Sequence, residues 1–103
     1  MSAYIVALID IKDPERYAAY AEQFDFESFE RDHGGEVLVV SDAPEDIEGA
    51  WQHGRLVVLR FPSAQDARDW YDSEAYRDVR VIRWAHSDST VALHLGVDEM
   101  ANA

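Results

Sequence analysis

The segment RLVVLRFPSAQDARDWYDSEAY, residues 55–76, constrains the fold of this chain more than any other stretch. Its opening run RLVVLRF is largely apolar, which is typical of a buried strand. Pro62 cannot extend the hydrogen bonding of a strand, and Ser63 followed by Asp66 resembles the capping box that begins a helix. Ser73 can cap another helix, which the apolar spacing extends to about Trp84. The segment therefore predicts a strand followed by two helices.

Three further strands are predicted on either side of this segment. The almost continuous apolar run at residues 4–11 is typical of a strand buried on both faces, so it should lie in the middle of a sheet. Residues 36–40 and residues 90–97 supply the other two strands. Residues 41–54 contain proline, glycine and many acidic side chains, and we expect them to form a loop.

Another helical region is predicted between the first two strands. Asp13 can cap a helix, and Pro14 is favoured at the first helical position. The apolar stripe then changes phase between Phe24 and Phe26, because a two-residue step turns a helix by about 200°. We therefore expect a kink or break near Asp25.

The order of these elements is β-α-β-β-α-β with an additional short helix. That order predicts an α+β, ferredoxin-like domain whose four-stranded antiparallel sheet has the strand order 4-1-3-2. Right-handed crossovers place both main helices on one face of the sheet. We expect a single domain over residues 1–97 and a flexible C-terminal tail over residues 98–103.

Neighbouring residues of a strand point to opposite faces of the sheet, so a sheet with one face in water should alternate apolar and polar residues. Here both faces of the predicted sheet are apolar. The set that should face the helices contains Ile5, Ala7, Ile9, Ile11, Val57, Leu59, Phe61, Val91, Leu93 and Leu95. The other set includes Tyr4, Val6, Leu8, Leu56 and Val58. Because a soluble monomer rarely exposes such a patch, we predict a homodimer in which two sheets pack face to face as a dimeric α/β barrel.

The charge balance argues against several classes of partner. The 103 residues include 21 Asp and Glu against 9 Lys and Arg, and the net charge of −12 repels nucleic-acid phosphates and anionic lipid headgroups. The chain has no cysteine, which excludes thiol catalysis, disulfides and cysteine-based metal sites. The first residues lack the basic region and long apolar core of a signal peptide. We therefore expect a cytoplasmic protein without nucleic-acid or membrane partners.

Asp10, Arg60, Thr90 and His94 are the polar residues of the set that should face the barrel interior. We expect strands one and three to be parallel neighbours, which would bring Asp10 and Arg60 to the same end of the sheet as an ion pair. His94 could act as a catalytic base or a hydrogen-bond donor, and Arg60 could bind an anionic or carbonyl group. The alternative is structural: a salt bridge at the barrel end and a histidine in the core or interface.

Four more residues are candidates for ligand contacts, namely Arg55 and Arg83 as cations and Trp70 and Tyr76 as aromatic side chains. The aromatic residues are more typical of core or interface packing than of a cofactor cage. The histidines of the chain show no metal-ligand spacing with one another. Neither a metal site nor a cofactor is predicted.

Several of these residues also carry a resemblance to a known family. They are the opening AYIVALIDIKDPERYAAY, Trp51, the RLVV and FPS runs, Ala67, Trp70, Tyr71, Ser73 and Tyr76, with Arg83, Ser89 and Gly96 as looser support. In this pattern the chain resembles DUF1330, a bacterial domain of unknown function, over nearly its whole length. That family resembles the dimeric α/β-barrel superfamily. The resemblance therefore implies the same fold and the same dimer, and it implies no established reaction.

The chain departs from the pattern of that family at three places. Arg60 stands where family members commonly carry Glu, and Leu8 replaces an acidic residue. The run Ser73-Glu74-Ala75-Tyr76 stands where Ser-Pro-Glu-Tyr is usual. The resemblance therefore implies that a site built on those acids is altered or lost in this chain.

The leading functional hypothesis is a homodimer that binds a small organic molecule in a barrel cavity, with Arg60, His94, Arg55 and Arg83 as polar contacts. One alternative is a cofactor-independent oxygenase, isomerase or decarboxylase acting on a small carbonyl or phenolic substrate, as the superfamily resemblance allows. Another is an interaction module without a ligand. A fully packed interior would favour that last hypothesis.

Overall fold

The computed structural model describes residues 2–100, apart from the side chains of Glu99 and Met100. In chain order the elements are β1 (Ala3–Ile11), α1 (Pro14–Gln23), α2 (Phe26–Arg31), β2 (Glu36–Ser41), β3 (Arg55–Phe61), α3 (Ala64–Tyr71), α4 (Glu74–His86), β4 (Ser87–Leu95) and α5 (Val97–Met100). This order confirms the predicted β-α-β-β-α-β arrangement. Within that described part, none of the helices combines the length and apolar character needed to cross a lipid bilayer. Residues 101–103 of the predicted tail lie outside the description.

The sheet has the order β2-β3-β1-β4, which is the predicted order read from the other edge. Each helical crossover joins two parallel strands with a third strand inserted between them, so all neighbouring strands are antiparallel. The expectation that β1 and β3 are parallel neighbours is therefore wrong. Arg60 pairs with Tyr4, and Asp10 pairs with Asp88. Tyr4 and Asp10 are six residues apart on β1, so Arg60 and Asp10 are separated by roughly 20 Å along the strand. The predicted Asp10 to Arg60 ion pair cannot form.

The two faces of the sheet differ in burial, as predicted. Ile5, Ala7 and Ile9 of β1 are buried against the helices, together with Leu59 and Phe61 of β3. The residues between them point to the other face and stay partly accessible in the single chain; these are Tyr4, Val6, Leu8, Leu56 and Val58. An apolar surface is therefore left on the side of the sheet opposite the main helices.

Polar side chains begin the helices where the sequence predicts them. Asp13, Ser63 and Ser73 each accept a hydrogen bond from the backbone N–H three residues on, at 3.1, 3.1 and 3.3 Å. Asp25 does the same for α2, at 3.0 Å, just after α1 has ended. The predicted break near Asp25 is confirmed.

The last long helix and the last strand differ from their predicted bounds. α4 continues to His86 instead of ending near Trp84, and β4 runs from Ser87 to Leu95 instead of over residues 90–97. Serine and aspartate favour turns, which is why residues 87–89 lie outside the predicted strand. In the structure their backbone completes the ladder with the end of β1, where Ser87 pairs with Ile11. Strand pairing thus outweighs local turn preference.

An aromatic cluster fills the core between the helices and one end of the sheet. The fully buried rings of Phe29 and Phe61 meet edge to face, with centroids 5.5 Å apart. The ring centroid of Trp70 lies 5.4 and 5.5 Å from the centroids of these two rings, and the centroid of Tyr76 lies 4.0 Å from that of Trp70. Gly35 permits this packing, because a Cβ there would come within 2.3 Å of the Phe29 ring. The cluster therefore ties α2, β3, α3 and α4 together.

Replacing Phe29 by alanine tests the aromatic cluster. We expect Phe29→Ala to lower the free energy of unfolding by about 3–5 kcal/mol, since it removes a fully buried ring. Phe26→Ala, the same change in the same helix at a residue that is 50% exposed, should cost far less. Urea unfolding followed by circular dichroism measures both values. Equal destabilisation by the two variants would contradict the central position of Phe29.

Candidate functional site

A cavity of about 270 Å³ lies between the helices and the helix-facing side of the sheet. All four strands and the helices α1 to α4 contribute side chains to its lining. Most of these side chains are apolar or aromatic. Six of the lining side chains end in a hydroxyl or a guanidinium group. They are the tyrosines Tyr17, Tyr20, Tyr71 and Tyr76 and the arginines Arg55 and Arg83.

Small side chains in the middle of the sheet form the floor of this cavity. Val40, Val57, Ala7 and Val91 are register partners across the four strands and make up one row. All four line the cavity. Because their side chains are short, they leave a space beneath the helices that larger side chains would fill in a close-packed core.

A β-bulge in β2 shapes the wall at the edge of the sheet. The pairing of β2 with β3 shifts by one residue between Val37 and Val39, which leaves Leu38 as the extra residue. The bulge lets Val37 and Val40 line the same cavity although they are three residues apart. These two side chains are 43% and 57% exposed, so the cavity opens to solvent beside β2.

Three tyrosines converge on the helical side of the cavity. Tyr17 and Tyr20 lie on α1 with ring centroids 5.4 Å apart, and the Tyr20 ring lies 6.2 Å from that of Tyr76 on α4. The hydroxyl oxygens of Tyr20 and Tyr76 are 2.6 Å apart and share a hydrogen bond. Since two hydroxyls hold two protons and this bond uses one, the pair can still donate to a third group.

The two arginines of the lining have different surroundings. Arg55 forms a bidentate ion pair with Asp42, with Nε to Oδ1 at 2.7 Å and Nη2 to Oδ2 at 3.0 Å. Arg83 is only 3% exposed and donates from Nη1 to the Ser89 hydroxyl, while its Nε is buried without a hydrogen-bond partner. Among the described residues, Arg83 forms no ion pair with a carboxylate.

Burial controls the ionisation of these groups. Desolvation raises the pKa of Tyr20 far above its ordinary value, and the neighbouring Tyr76 raises it further. Desolvation also raises the pKa of Tyr17, against the opposing effect of Arg55. Burial acts to lower the pKa of Arg83, but the adjacent tyrosine hydroxyls outweigh it, and the net shift is upward. At neutral pH Tyr17 and Tyr20 therefore stay protonated, near the fixed positive charge of Arg83.

Arg55, Trp70, Tyr76 and Arg83, which the sequence proposes as ligand contacts, all line this cavity. The cavity lies on the helix-facing side of the sheet and not on the face predicted to form the barrel interior. Trp70 and Tyr76 are also part of the aromatic cluster, so they act at once as core residues and as cavity wall.

The other candidate residues lie on the opposite face of the sheet. His94 and Arg60 both pair with Tyr4, one from each side, and both are exposed in the single chain. Arg60 donates to the Ser2 hydroxyl at 3.1 and 3.3 Å. Asp10 lies near the other end of β1 and accepts a hydrogen bond from a loop N–H at 2.7 Å. The sheet separates these three residues from a molecule in the cavity.

Tyr17 and Tyr20 are absent from the predicted site. Tyr17 lies at helical spacing with apolar residues, which favours an interpretation as core packing. A tyrosine at a position predicted to be buried is one signal of a polar contact, because its hydroxyl usually needs a hydrogen-bond partner. The partner of Tyr20 is Tyr76, 56 residues away, and only the fold brings the two together.

Comparison with known sequences identifies the family. A profile described as a domain of unknown function, DUF1330, matches residues 2–97. The chain belongs to the DUF1330 family. The resemblance carried by the strand-to-helix segment is thereby confirmed. None of the curated proteins matches the chain.

Solved structures share the fold of this DUF1330 chain. A protein of unknown function from Rhodopseudomonas palustris superposes with a TM-score of 0.70 at 21% identity, over 89% of this chain and 79% of the other. A dimeric ferredoxin-like protein of unknown function from Thermobifida fusca gives 0.62 at 15%, over 92% of each chain. SnoaB, a cofactor-independent oxygenase from Streptomyces nogalater, gives 0.61 at 11%, also over 92% of each. These similarities establish the ferredoxin-like fold alone.

Alkaline titration tests the surroundings of the tyrosines. As the pH rises above about 10, Tyr17 and Tyr20 should ionise later than an ordinary phenol, and Tyr20→Phe should remove one late step from the tyrosinate absorbance curve. The unfolded chain loses these protons near pH 10 while the folded chain keeps them. The stability that they contribute is therefore present below that pH and declines above it. Titration of all five tyrosines in one step near pH 10 would contradict this arrangement.

Proposed function

We propose that this protein binds a small, largely apolar organic molecule in the cavity between its helices and its sheet. The observation that carries the proposal is the composition of the lining, in which apolar and aromatic walls surround a few convergent polar groups. Ligand sites in proteins commonly have this composition. A fully packed interior, as in an interaction module without a ligand, would leave no such space.

The size of the cavity limits the ligand. Its volume of about 270 Å³ equals the space of about nine water molecules at ~30 Å³ each. A single six-membered ring with one polar substituent fits within that space. The aromatic walls formed by Tyr17, Tyr20 and Trp70 suit a flat ring, because aromatic pairs gain stability from offset or edge-to-face contact.

The alternative is a cofactor-independent enzyme, and the fold shared with SnoaB supports it. Acid–base catalysis at neutral pH needs a group whose pKa lies near 7. Among the described residues that line the cavity there is no carboxylate and no imidazole, while Tyr17 and Tyr20 have raised pKa values. His94, the candidate catalytic base, lies on the other side of the sheet. These features favour binding over catalysis.

We also propose that the functional unit is a homodimer joined through the outer face of the sheet. That face carries the accessible apolar side chains of β1 and β3, which a stable monomer would rarely leave exposed. The similar structure from Thermobifida fusca is described as dimeric, which supports this assembly. In such a dimer, His94 and Arg60 would lie at or near the interface between the two sheets.

Filling the cavity tests the binding site. Ala21 and Ala18 are both exposed residues of α1, but Ala21 lines the mouth of the cavity and Ala18 does not line the cavity. We expect phenol and indole to shift the amide NMR signals of cavity residues such as Ala7 and Val57. Ala21→Phe should abolish these shifts, because the new ring occupies the space, and Ala18→Phe should leave them unchanged. Shifts confined to the surroundings of His94 would place the site on the other face.

A charge on the outer sheet face tests the dimer. We expect the wild-type protein to sediment as a dimer and Val58→Asp to sediment as a monomer, since an unpaired carboxylate is costly in an apolar interface. Val81→Asp, the same change at an exposed position of α4, serves as the control and should remain dimeric. A monomeric wild-type protein at micromolar concentration would refute the assembly.

A further inference from the structure

Arg83 is buried, unlike the other arginines of the described chain, and no carboxylate there lies within ion-pair distance of it. Arg31, Arg55 and Arg80 each lie within ion-pair distance of an aspartate or glutamate. Acidic residues outnumber basic ones by 21 to 9, so the missing partner does not reflect a shortage of acids. The fold has placed a cation in its interior and kept carboxylates away from it.

Burial disfavours the charge of Arg83, and no carboxylate of the described chain offsets that cost. A guanidinium does not give up its proton, so Arg83 cannot escape the cost of burial by becoming neutral. The Ser89 hydroxyl accepts from Nη1, and the hydroxyls of Tyr76 and Tyr20 favour the charged form. All three of these groups are neutral, and the Nε of Arg83 still lacks an acceptor. The free protein therefore has an unmet demand for a negatively charged acceptor at the cavity wall.

We propose that Arg83 binds the carboxylate of the ligand, and that the ligands are monocarboxylates with one aromatic ring or an aliphatic body of similar size. This inference rests on the proposed ligand cavity and adds the charge of the molecule that occupies it. A carboxylate fits because its two oxygens can accept parallel N–H bonds from one guanidinium. A phosphate monoester, with a charge of about −1.5 to −2, would exceed the single cation at this position.

The hydroxyl pair of Tyr20 and Tyr76 complements the arginine. Both tyrosines line the cavity, and the bond of 2.6 Å between their hydroxyls leaves one proton for a further acceptor. Because Tyr20 stays protonated well above neutral pH, it donates to an anion and does not repel it. The row formed by Val40, Val57, Ala7 and Val91 offers an apolar floor for the body of the ligand.

Matched acids and amides test this assignment on the full-length wild-type protein. The probes are benzoate and benzamide, phenylacetate and phenylacetamide, and hexanoate and hexanamide, which within each pair have nearly the same shape and differ in charge. At neutral pH, calorimetry should show at least one acid binding about tenfold or more tightly than its amide, as expected for hydrogen bonds to a charged group.

Two arginine variants locate the charge. Arg83→Gln should reduce the affinity for the acid to that for the amide and leave the amide affinity nearly unchanged. Arg60→Gln, at the arginine on the opposite face of the sheet, is the control and should keep the wild-type ratio. Thermal unfolding followed by circular dichroism checks that each variant is folded.

A measurement on the wild-type protein covers the case in which Arg83→Gln does not fold. The Nε–H of Arg83 has no acceptor in the free protein, so its NMR signal should move downfield when the acid binds and stay in place when the amide binds. An unmoved Nε–H signal in the presence of bound acid would overturn the assignment to Arg83.

The remaining outcomes separate this inference from the proposed function. Equal affinity for acids and amides, abolished by Ala21→Phe, would keep the cavity as a binding site and overturn the role of Arg83. A preference for acids that survives in Arg83→Gln would also overturn it. No binding of any probe, acid or amide, would count against both the cavity site and the carboxylate assignment.

Discussion

The pairing of β1 with both of its neighbours is the constraint on which the rest of the structure depends. Side chains alternate along this strand, so a slip of one residue would exchange its two faces. The observed register places Ala7 at the cavity floor and Tyr4 on the outer face between His94 and Arg60. A single strand thus separates two surfaces: the cavity wall that we propose binds a ligand, and the outer face that we propose packs against a second copy of the chain.

The cavity and the aromatic core share side chains, and this sharing has an energetic consequence. Trp70 packs against Phe29 and Phe61, Tyr76 packs against Trp70, and both Trp70 and Tyr76 line the cavity. Rings that are already fixed by packing lose little conformational entropy when a ligand arrives. The same packing that stabilises the fold therefore also fixes the walls of the proposed site. Arg83 is the exception, since its surroundings do not satisfy all of its donors.

Much of the fold can be predicted from the sequence because its signals are local. The caps at Asp13 and Ser63, the break near Asp25 and the continuous apolar run of β1 each depend on residues close together in the chain. The failures concern relations between distant segments. The predicted contact of Asp10 with Arg60 assumes that β1 and β3 are parallel. A strand inserted between the two strands of a crossover instead runs antiparallel to both neighbours. The position of the cavity depends on a row of small side chains whose register only the assembled sheet reveals.

The bulge at Leu38 also bears on whether β2 can pair with strands of other molecules. β2 is an edge strand, and its free backbone groups could pair with a strand from another molecule. A bulge twists the edge and disturbs the regular spacing of those groups, which makes it a poor template for further strands. The irregularity that shapes the mouth of the cavity therefore also protects an apolar, solvent-facing edge from fibre growth.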